Sequence, residues 1–298
     1  MTMRRRSMMT GMGLAGLWTA MPWRGVQAAV PEAALTARLA ELEKGTGGRL
    51  GVALLDLGSG RRAAHRGAER FPMCSTFKLL AAAAVLRRVE AGQLRLDQLR
   101  PFRRADLVPY SPATEAHADG PGLTLAALCE AAVTLSDNTA ANLLLGQLGG
   151  PEGLTAQLRR WGDMVTRLDR WEPALNEGIP GDPRDTTTPE AMLGLIRTVT
   201  LGDGLAAEGR AQLMAWLRGN RTGDRQLRAG LPAGWTAAEK TGSNGRSIAN
   251  DVGLLLPPGG RPPVLVTAYL AEATIPAAQQ PAVLAAVARE AVAAFGPR

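Results

Sequence analysis

Apolar positions along the chain change period twice, and the changes outline a fold. Leu35, Leu39 and Leu42 recur at helical spacing and predict a helix over residues 31–44. Arg49 to Leu57 is a strand-like run that stops at the turn signal Gly58-Ser59-Gly60, and Arg61 to His65 completes a hairpin. Ser75 to Glu90 is helical and strongly apolar in its first half, ended by Gly92. Further helices are predicted over Leu125 to Ala132, opened by Thr124, and over Asn138 to Leu148, closed by Gly149-Gly150. Arg170 to Thr188 is rich in Pro, Gly, Asp and Asn and reads as a long ordered loop. Pro189 then starts a helix over residues 190–200. The last third returns to strands at Trp235 to Lys240, Asp251 to Leu256 and Val264 to Leu270, with a turn at Pro257-Pro258-Gly259-Gly260, before a helix from Pro276 to Phe295.

Strands at both ends and helices between them predict an α/β (α+β) protein. An antiparallel sheet is built from both termini and flanked by the terminal helices, with an all-helical domain inserted. The α/β domain takes residues 29–66 and 219–298, the all-α domain residues 67–218, and a cleft is expected at the seam.

Composition narrows the function. The formal charge is +7, but residues 1–28 hold four arginines and no acid, so the remainder carries only +3. That field is too weak to argue for nucleic acid as a partner. Residues 1–28 read as an export signal: Arg4-Arg5-Arg6, an apolar stretch from Met8 to Met21, and Val26-Gln27-Ala28 as a cleavage site. Adjacent arginines before Ser7-Met8-Met9 point to the twin-arginine route, with a general-secretion signal or an uncleaved anchor as the alternatives. The apolar stretch is shorter than the roughly 20 residues of a membrane span. The expectation is an exported, periplasmic monomer with no stable membrane association. His65 and His117 have no second ligand at motif spacing, so neither a metal nor another cofactor is expected.

Four short motifs carry candidate chemistry. Ser75 and Lys78 stand three apart on the predicted helix, hence on one face and near its N-terminus, where unpaired N–H groups favour an anion. A serine hydroxyl needs a base to become a nucleophile, and a lysine with a lowered pKa can supply one. The plain alternative is Ser75 as a helix cap and Lys78 as a solvated lysine, although Leu79-Leu80-Ala81-Ala82 argues for burial of this face. Ser136-Asp137-Asn138 reads either as a cap or as a site, with Ser136 relaying a proton to a leaving nitrogen and Asn138 offering its amide to substrate. Lys240-Thr241-Gly242 is either an exposed strand end or an anion site for a substrate carboxylate, Gly242 leaving room for close approach. Glu172, held out of helical geometry before Pro173, is either a surface glutamate or a base that activates water beside Asn176.

Together these motifs resemble the class A serine β-lactamases over nearly the whole mature chain. The extended strings are Phe71-Pro72-Met73-Cys74-Ser75-Thr76-Phe77-Lys78, Tyr110-Ser111-Pro112, Ser136-Asp137-Asn138-Thr139-Ala140-Ala141-Asn142 and Asp169-Arg170-Trp171-Glu172-Pro173. The resemblance implies hydrolysis of the β-lactam amide of penicillins and cephalosporins through a serine acyl-enzyme, conferring antibiotic resistance. Ser75 would be acylated, with Lys78 or Glu172 through a water taking its proton. Ser136 would protonate the lactam nitrogen, and Glu172 with Asn176 would activate the deacylating water. The N–H groups of Ser75 and Ser243 would form the oxyanion hole. Lys240, Thr241 and Ser243 would hold the substrate carboxylate, and Tyr110 would wall the cleft. The resemblance also implies an Arg170–Asp185 ion pair and a cis Glu172-Pro173 bond.

Departures from the family are expected to matter. Cys74 and Cys129 lack the partners some members have, since Asn244 and Ala82 occupy those positions, so two free thiols are expected. The arginine many members add for the carboxylate is replaced by Ala249 at the usual position, leaving Arg225, then Arg246, as substitutes. A penicillin-binding D,D-peptidase shares the serine and lysine logic but lacks an efficient deacylation base, so Glu172 and Asn176 favour the hydrolase. A covalent β-lactam sensor domain would need a membrane anchor, for which the chain shows no long apolar segment, and a cytoplasmic partner domain, for which it has no room.

Overall fold

A computed structural model describes Thr2 and residues 32–296. Apart from Thr2, the export-signal reading lies outside the described residues. The chain runs α1 (Glu32–Lys44), β1 (Arg49–Asp56) and β2 (Arg62–His65) into the helices α2 (Phe77–Glu90), α3 (Leu125–Thr134), α4 (Asn138–Leu148), α5 (Gly150–Arg160), α6 (Pro189–Thr200) and α7 (Ala207–Arg218). It ends with β3 (Thr236–Ser243), β4 (Ala249–Leu256), β5 (Val264–Ala271) and α8 (Gln280–Phe295).

The five strands form one sheet in the order β2-β1-β5-β4-β3, antiparallel at every pairing. The N-terminal hairpin thus pairs directly with the last strand, as the sequence predicts. All eight residues of β5 are buried, because the sheet is covered on both faces. Such strands read as continuous apolar runs rather than alternating ones. One face packs Leu50, Val52, Val266 and Leu270 against Leu35 and Leu39 of α1 and Leu284 and Val287 of α8. The other packs Leu265 and Tyr269 into the larger core shared with the helices.

Helix α2 is the axis of that larger core. Phe77 to Leu86 are all buried, and the run Ala81 to Ala84 is slim enough for α3, α4, α5 and α7 to pack around it. Side chains fix where the helices begin: Thr124, Asp137 and Thr188 accept hydrogen bonds from the N–H groups of Ala127, Ala140 and Ala191.

Several boundaries shift by two residues or more, and three of these shifts have a visible cause. Residues Cys74–Thr76 form a single 3-10 turn, so α2 begins at Phe77 and not at Ser75. Helix α8 begins at Gln280, after a turn closed from Gln279 N–H to the Pro276 carbonyl. Strand β3 continues to Ser243 because Thr241 to Ser243 pair with Ala249 to Asp251. Helices α5 and α7 were not among the predicted elements. Each buries only a narrow stripe, Leu154 and Leu158 in one and Leu213, Trp216 and Leu217 in the other, on otherwise polar sequences.

Candidate active site

The turn that carries Ser75 is held from three sides. Asn250 of β4 donates its amide to the carbonyls of Pro72 and Met73, at 2.9 and 3.1 Å. The Met73 N–H donates to the Asp185 carbonyl at 2.9 Å, tying the turn to the end of the long loop. Strand β3 presses close enough that a Cβ on Gly242 would lie 2.7 Å from the Met73 oxygen and 3.2 Å from the Ser75 nitrogen. Only glycine allows that approach. Cys74, just before Ser75, takes the left-handed conformation at φ 44°, as do Tyr110 at φ 65° and Ser136 at φ 60°. Backbone strain of this kind costs roughly 1–3 kcal/mol per residue, and these three residues lie near Ser75, while Arg66, Asp119 and Glu272 take the same conformation elsewhere. The Ser75 hydroxyl has no hydrogen-bond partner among the described residues.

Lys78 is fully buried on α2. Its Nζ donates to the Ser136 carbonyl at 2.8 Å and to Asn138 Oδ1 at 2.5 Å, lies 3.4 Å from Ser136 Oγ, and faces Glu172 Oε1 at 3.1 Å. Burial lowers its pKa, and the Glu172 carboxylate opposes that fall. Lys240 of β3 is also fully buried, with Nζ donating to Ser136 Oγ at 3.1 Å and to the Thr241 carbonyl at 2.8 Å. Burial, then the nearby Lys78, depresses its pKa strongly. The Ser136 hydroxyl therefore stands between two lysines, and neither lysine has the exposed placement of the plainer reading.

The Ser136-Asp137-Asn138 segment is a cap and a site at once. Asp137 caps α4 and accepts from Ala113 N–H, Thr114 N–H and Thr114 Oγ1, which frees its neighbours to face the cleft. The Asn138 side chain donates Nδ2 to the Pro109 carbonyl at 2.8 Å and turns its oxygen to Lys78, so one donor of the amide expected to face substrate is already engaged.

Glu172 is buried in the long loop, next to the cis Glu172-Pro173 bond. Asn176 donates to its Oε2 at 2.5 Å. Asn142 of α4 clamps its backbone in both directions, accepting from Glu172 N–H at 2.9 Å and donating to the Glu172 carbonyl at 3.0 Å. The expected ion pair is present: Arg170 Nε lies 2.5 Å from Asp185 Oδ2, and Asp185 Oδ1 accepts from the N–H groups of Asp169 and Arg170. Among the buried acceptors here, Glu172 Oε1 meets only the Lys78 ammonium at 3.1 Å, and Asn176 Oδ1 meets no donor.

Tyr110 is exposed beside this cleft, and its carbonyl accepts from Asn138 N–H. The Thr241 hydroxyl pairs with Thr222, and Ser243 Oγ accepts from Gly245 N–H. Arg225 and Arg246 are both exposed. Cys74 and Cys129 are free and buried, as expected. Among the described residues no group of three His, Cys, Asp or Glu side chains converges as a metal site. Asn142 and Thr222 went unassigned in the sequence, although Asn142 sits four residues after Asn138 and so shares its helix face.

Known proteins resemble this chain over most of its length. The model of the "Beta-lactamase enzyme family" matches residues 34–295. β-Lactamase L2 of Stenotrophomonas maltophilia is 51% identical over 260 residues, covering 87% of this chain and 86% of that protein. The structure of an ancestral (GNCA) class A β-lactamase superposes with a TM-score of 0.86 at 60% identity, covering 88% of this chain and 100% of that one. The chain belongs to the class A β-lactamases. A class A β-lactamase from Rhodopseudomonas palustris, PenP, described as putative in its own structure, adds a TM-score of 0.84 at 55% identity, over 86% of this chain and 98% of that one. In this β-lactamase the buried lysines, the serine turn and the glutamate loop meet where sheet and helices join.

Proposed function

We propose that this enzyme divides its reaction between the residues gathered at that seam. The β-lactamase hydrolyses the β-lactam amide of penicillins and cephalosporins through a serine acyl-enzyme, and so confers resistance. Ser75 Oγ attacks the lactam carbonyl. Its proton passes to Lys78, whose burial favours the neutral amine, or to Glu172 through water; the 3.1 Å Lys78–Glu172 contact links the two bases. Ser136, bracketed by two lysines, hands a proton to the departing nitrogen. The N–H groups of Ser75 and Ser243 bind the oxyanion. Lys240, Thr241 and Ser243 receive the substrate carboxylate, with Arg225 ahead of Arg246 as the added cation. Asn138 and Tyr110 contact the rest of the substrate.

The observation that carries deacylation is a pair of buried acceptors with spare capacity: Glu172 Oε1, which meets only the Lys78 ammonium, and Asn176 Oδ1, which meets no donor. They match the two donors of a water, which the Glu172 carboxylate can then deprotonate for attack on the acyl-enzyme. The test is turnover of a chromogenic cephalosporin by wild type and Glu172→Ala, with mass spectrometry after mixing the variant with penicillin. Rapid wild-type turnover and a stalled Ser75 adduct in the variant are expected. A stable adduct on the wild type would instead mark a penicillin-binding peptidase.

The same reading makes the enzyme an exported, periplasmic monomer, carried by residues 1–28 through the twin-arginine route. Among the described residues no helix is long and apolar enough to cross a membrane. Protein sequencing of the exported form, expected to begin at Ala29, and its sedimentation mass check both points.

A further inference from the structure

Two buried carboxyl groups stand behind Lys240 and take no part in the reaction as proposed. Glu239 of β3 and Asp251 of β4 are both fully buried. The register sets Thr241 opposite Asp251 and Glu239 opposite Gly253, so the two carboxyls share one face of the sheet on a diagonal. Glu239 Oε1 lies 3.0 Å from Arg228 Nη2 and 3.4 Å from Asn220 Nδ2. Asp251 Oδ2 accepts from Leu227 N–H at 3.2 Å. The remaining oxygens, Glu239 Oε2 and Asp251 Oδ1, have no donor, and the diagonal across the ladder brings the two side chains together. Gly223 keeps the space open, since a Cβ there would lie 1.9 Å from Glu239 Oε1.

The charges do not balance if both groups ionise. Arg228 is the one cation in contact with the pair among the described residues, and it also serves Asp224 at 2.8 Å. Two bare carboxylates in contact away from water repel strongly, whereas one proton between them makes a charge-assisted hydrogen bond and fills both orphan oxygens. Lys240 has the opposite difficulty. Burial and the neighbouring Lys78 work against its ammonium form, and Asp251, Glu172 and Glu239 are the negative groups that support it.

We propose that Glu239 and Asp251 share one proton, and that the single negative charge they retain keeps Lys240 an ammonium ready for the substrate carboxylate. Both are positioning residues that never touch substrate. Burial raises both carboxyls above their ordinary range, in the direction a shared proton requires. Arg228 and Asp224, from the segment before β3, face the pair, whereas Lys240 lies on the opposite face of β3 and feels it through the sheet, with Lys78 and Glu172 reaching Lys240 from the helical side.

The proposal rests on Lys240 as the carboxylate anchor, so the experiment separates the two. Infrared difference spectra of the purified enzyme against Asp251→Asn, at neutral pH, should show one protonated carboxyl lost in the variant. No such band overturns the shared proton. Asparagine still donates to Glu239 and leaves one negative charge, so KM for a penicillin should stay within about two-fold. The double variant Glu239→Gln/Asp251→Asn removes the charge. It should raise KM about ten-fold with little change in kcat, and move the alkaline limb of the KM profile about one unit lower. The penicillin methyl ester, without the carboxylate, should be unaffected. A single variant as impaired as the double overturns the sharing. If Lys240→Ala leaves the preference for penicillin over its ester unchanged, the anchor reading fails, whatever the infrared result.

Discussion

Glu43 and Glu172 are both poorly exposed glutamates paired with a cation, and they are built for opposite ends. Glu43, on α1, is saturated. Arg66 donates twice to it, at 2.6 and 2.8 Å, the N–H of Leu50 donates at 2.8 Å, and His65 lies at 3.1 Å. Burial alone would raise its pKa, but these donors outweigh it and hold the carboxyl at about 2. Glu172 has one amide on Oε2 and one lysine on Oε1, with no further donor on either oxygen. Arg66 fills a carboxylate with a planar fork, while Lys78 presents a single ammonium that can give up its proton. A filled carboxylate holds structure together. An unfilled one, beside a lysine whose pKa burial has lowered, keeps capacity for chemistry.

The strongest way to break the contrast is to give Glu172 the partner Glu43 has. Lys78→Arg should lower kcat/KM about 10³-fold or more, because arginine cannot accept the serine proton. Pre-steady-state acylation measures it, with the melting temperature as a check on folding. Acylation at the wild-type rate would remove Lys78 from the list of bases. Next in size is Asn142→Ala. It leaves the Glu172 N–H and carbonyl without their side-chain partner, a loss of about 1–3 kcal/mol for the buried pair. Its kcat should fall about ten-fold through slower deacylation, since a small misplacement of the base is costly.

Glu43→Gln should act the other way, leaving kcat/KM intact and lowering stability by about 1–2 kcal/mol at neutral pH, once solvent screening is allowed for. The sign follows from the lowered pKa. The contribution is complete above the unfolded value near 4.5 and is lost as pH falls through about 2. The gap in melting temperature between wild type and variant should therefore close on acidification. A gap that is constant with pH would mean that packing, not charge, is what Glu43 supplies.

This contrast was only half legible in the sequence. Strands and main helices showed through their periods, because β1, β5 and α2 bury nearly continuous apolar runs. Helices α5 and α7 did not, because a stripe of two or three buried residues on a polar helix leaves little periodic signal. At the site, motif spacing located Ser75, Lys78, Ser136, Glu172 and Lys240. It left open whether each lysine was solvated, a question decided by tertiary burial. Asn142, Thr222 and the Glu239–Asp251 pair escaped notice because their partners lie across the fold: 30 residues away for Asn142 with Glu172, and 19 for Thr222 with Thr241.

The smallest expected effect concerns the thiol nearest the unfilled carboxylate. Cys74 and Cys129 are both free and fully buried. Burial pushes both thiols up, and at Cys74 the Glu172 and Asp185 carboxylates push further while Lys78 pulls back. The Glu172 charge therefore helps to suppress a thiolate beside Ser75. A thiol reagent at mildly alkaline pH should find no reactive cysteine in the native enzyme, and two after unfolding without reductant. Fast modification of Cys74 in the native state, with loss of activity, would show that the turn carrying Ser75 opens readily. Its hold by Asn250, Asp185 and Gly242 would then be weaker than their hydrogen bonds and close packing imply.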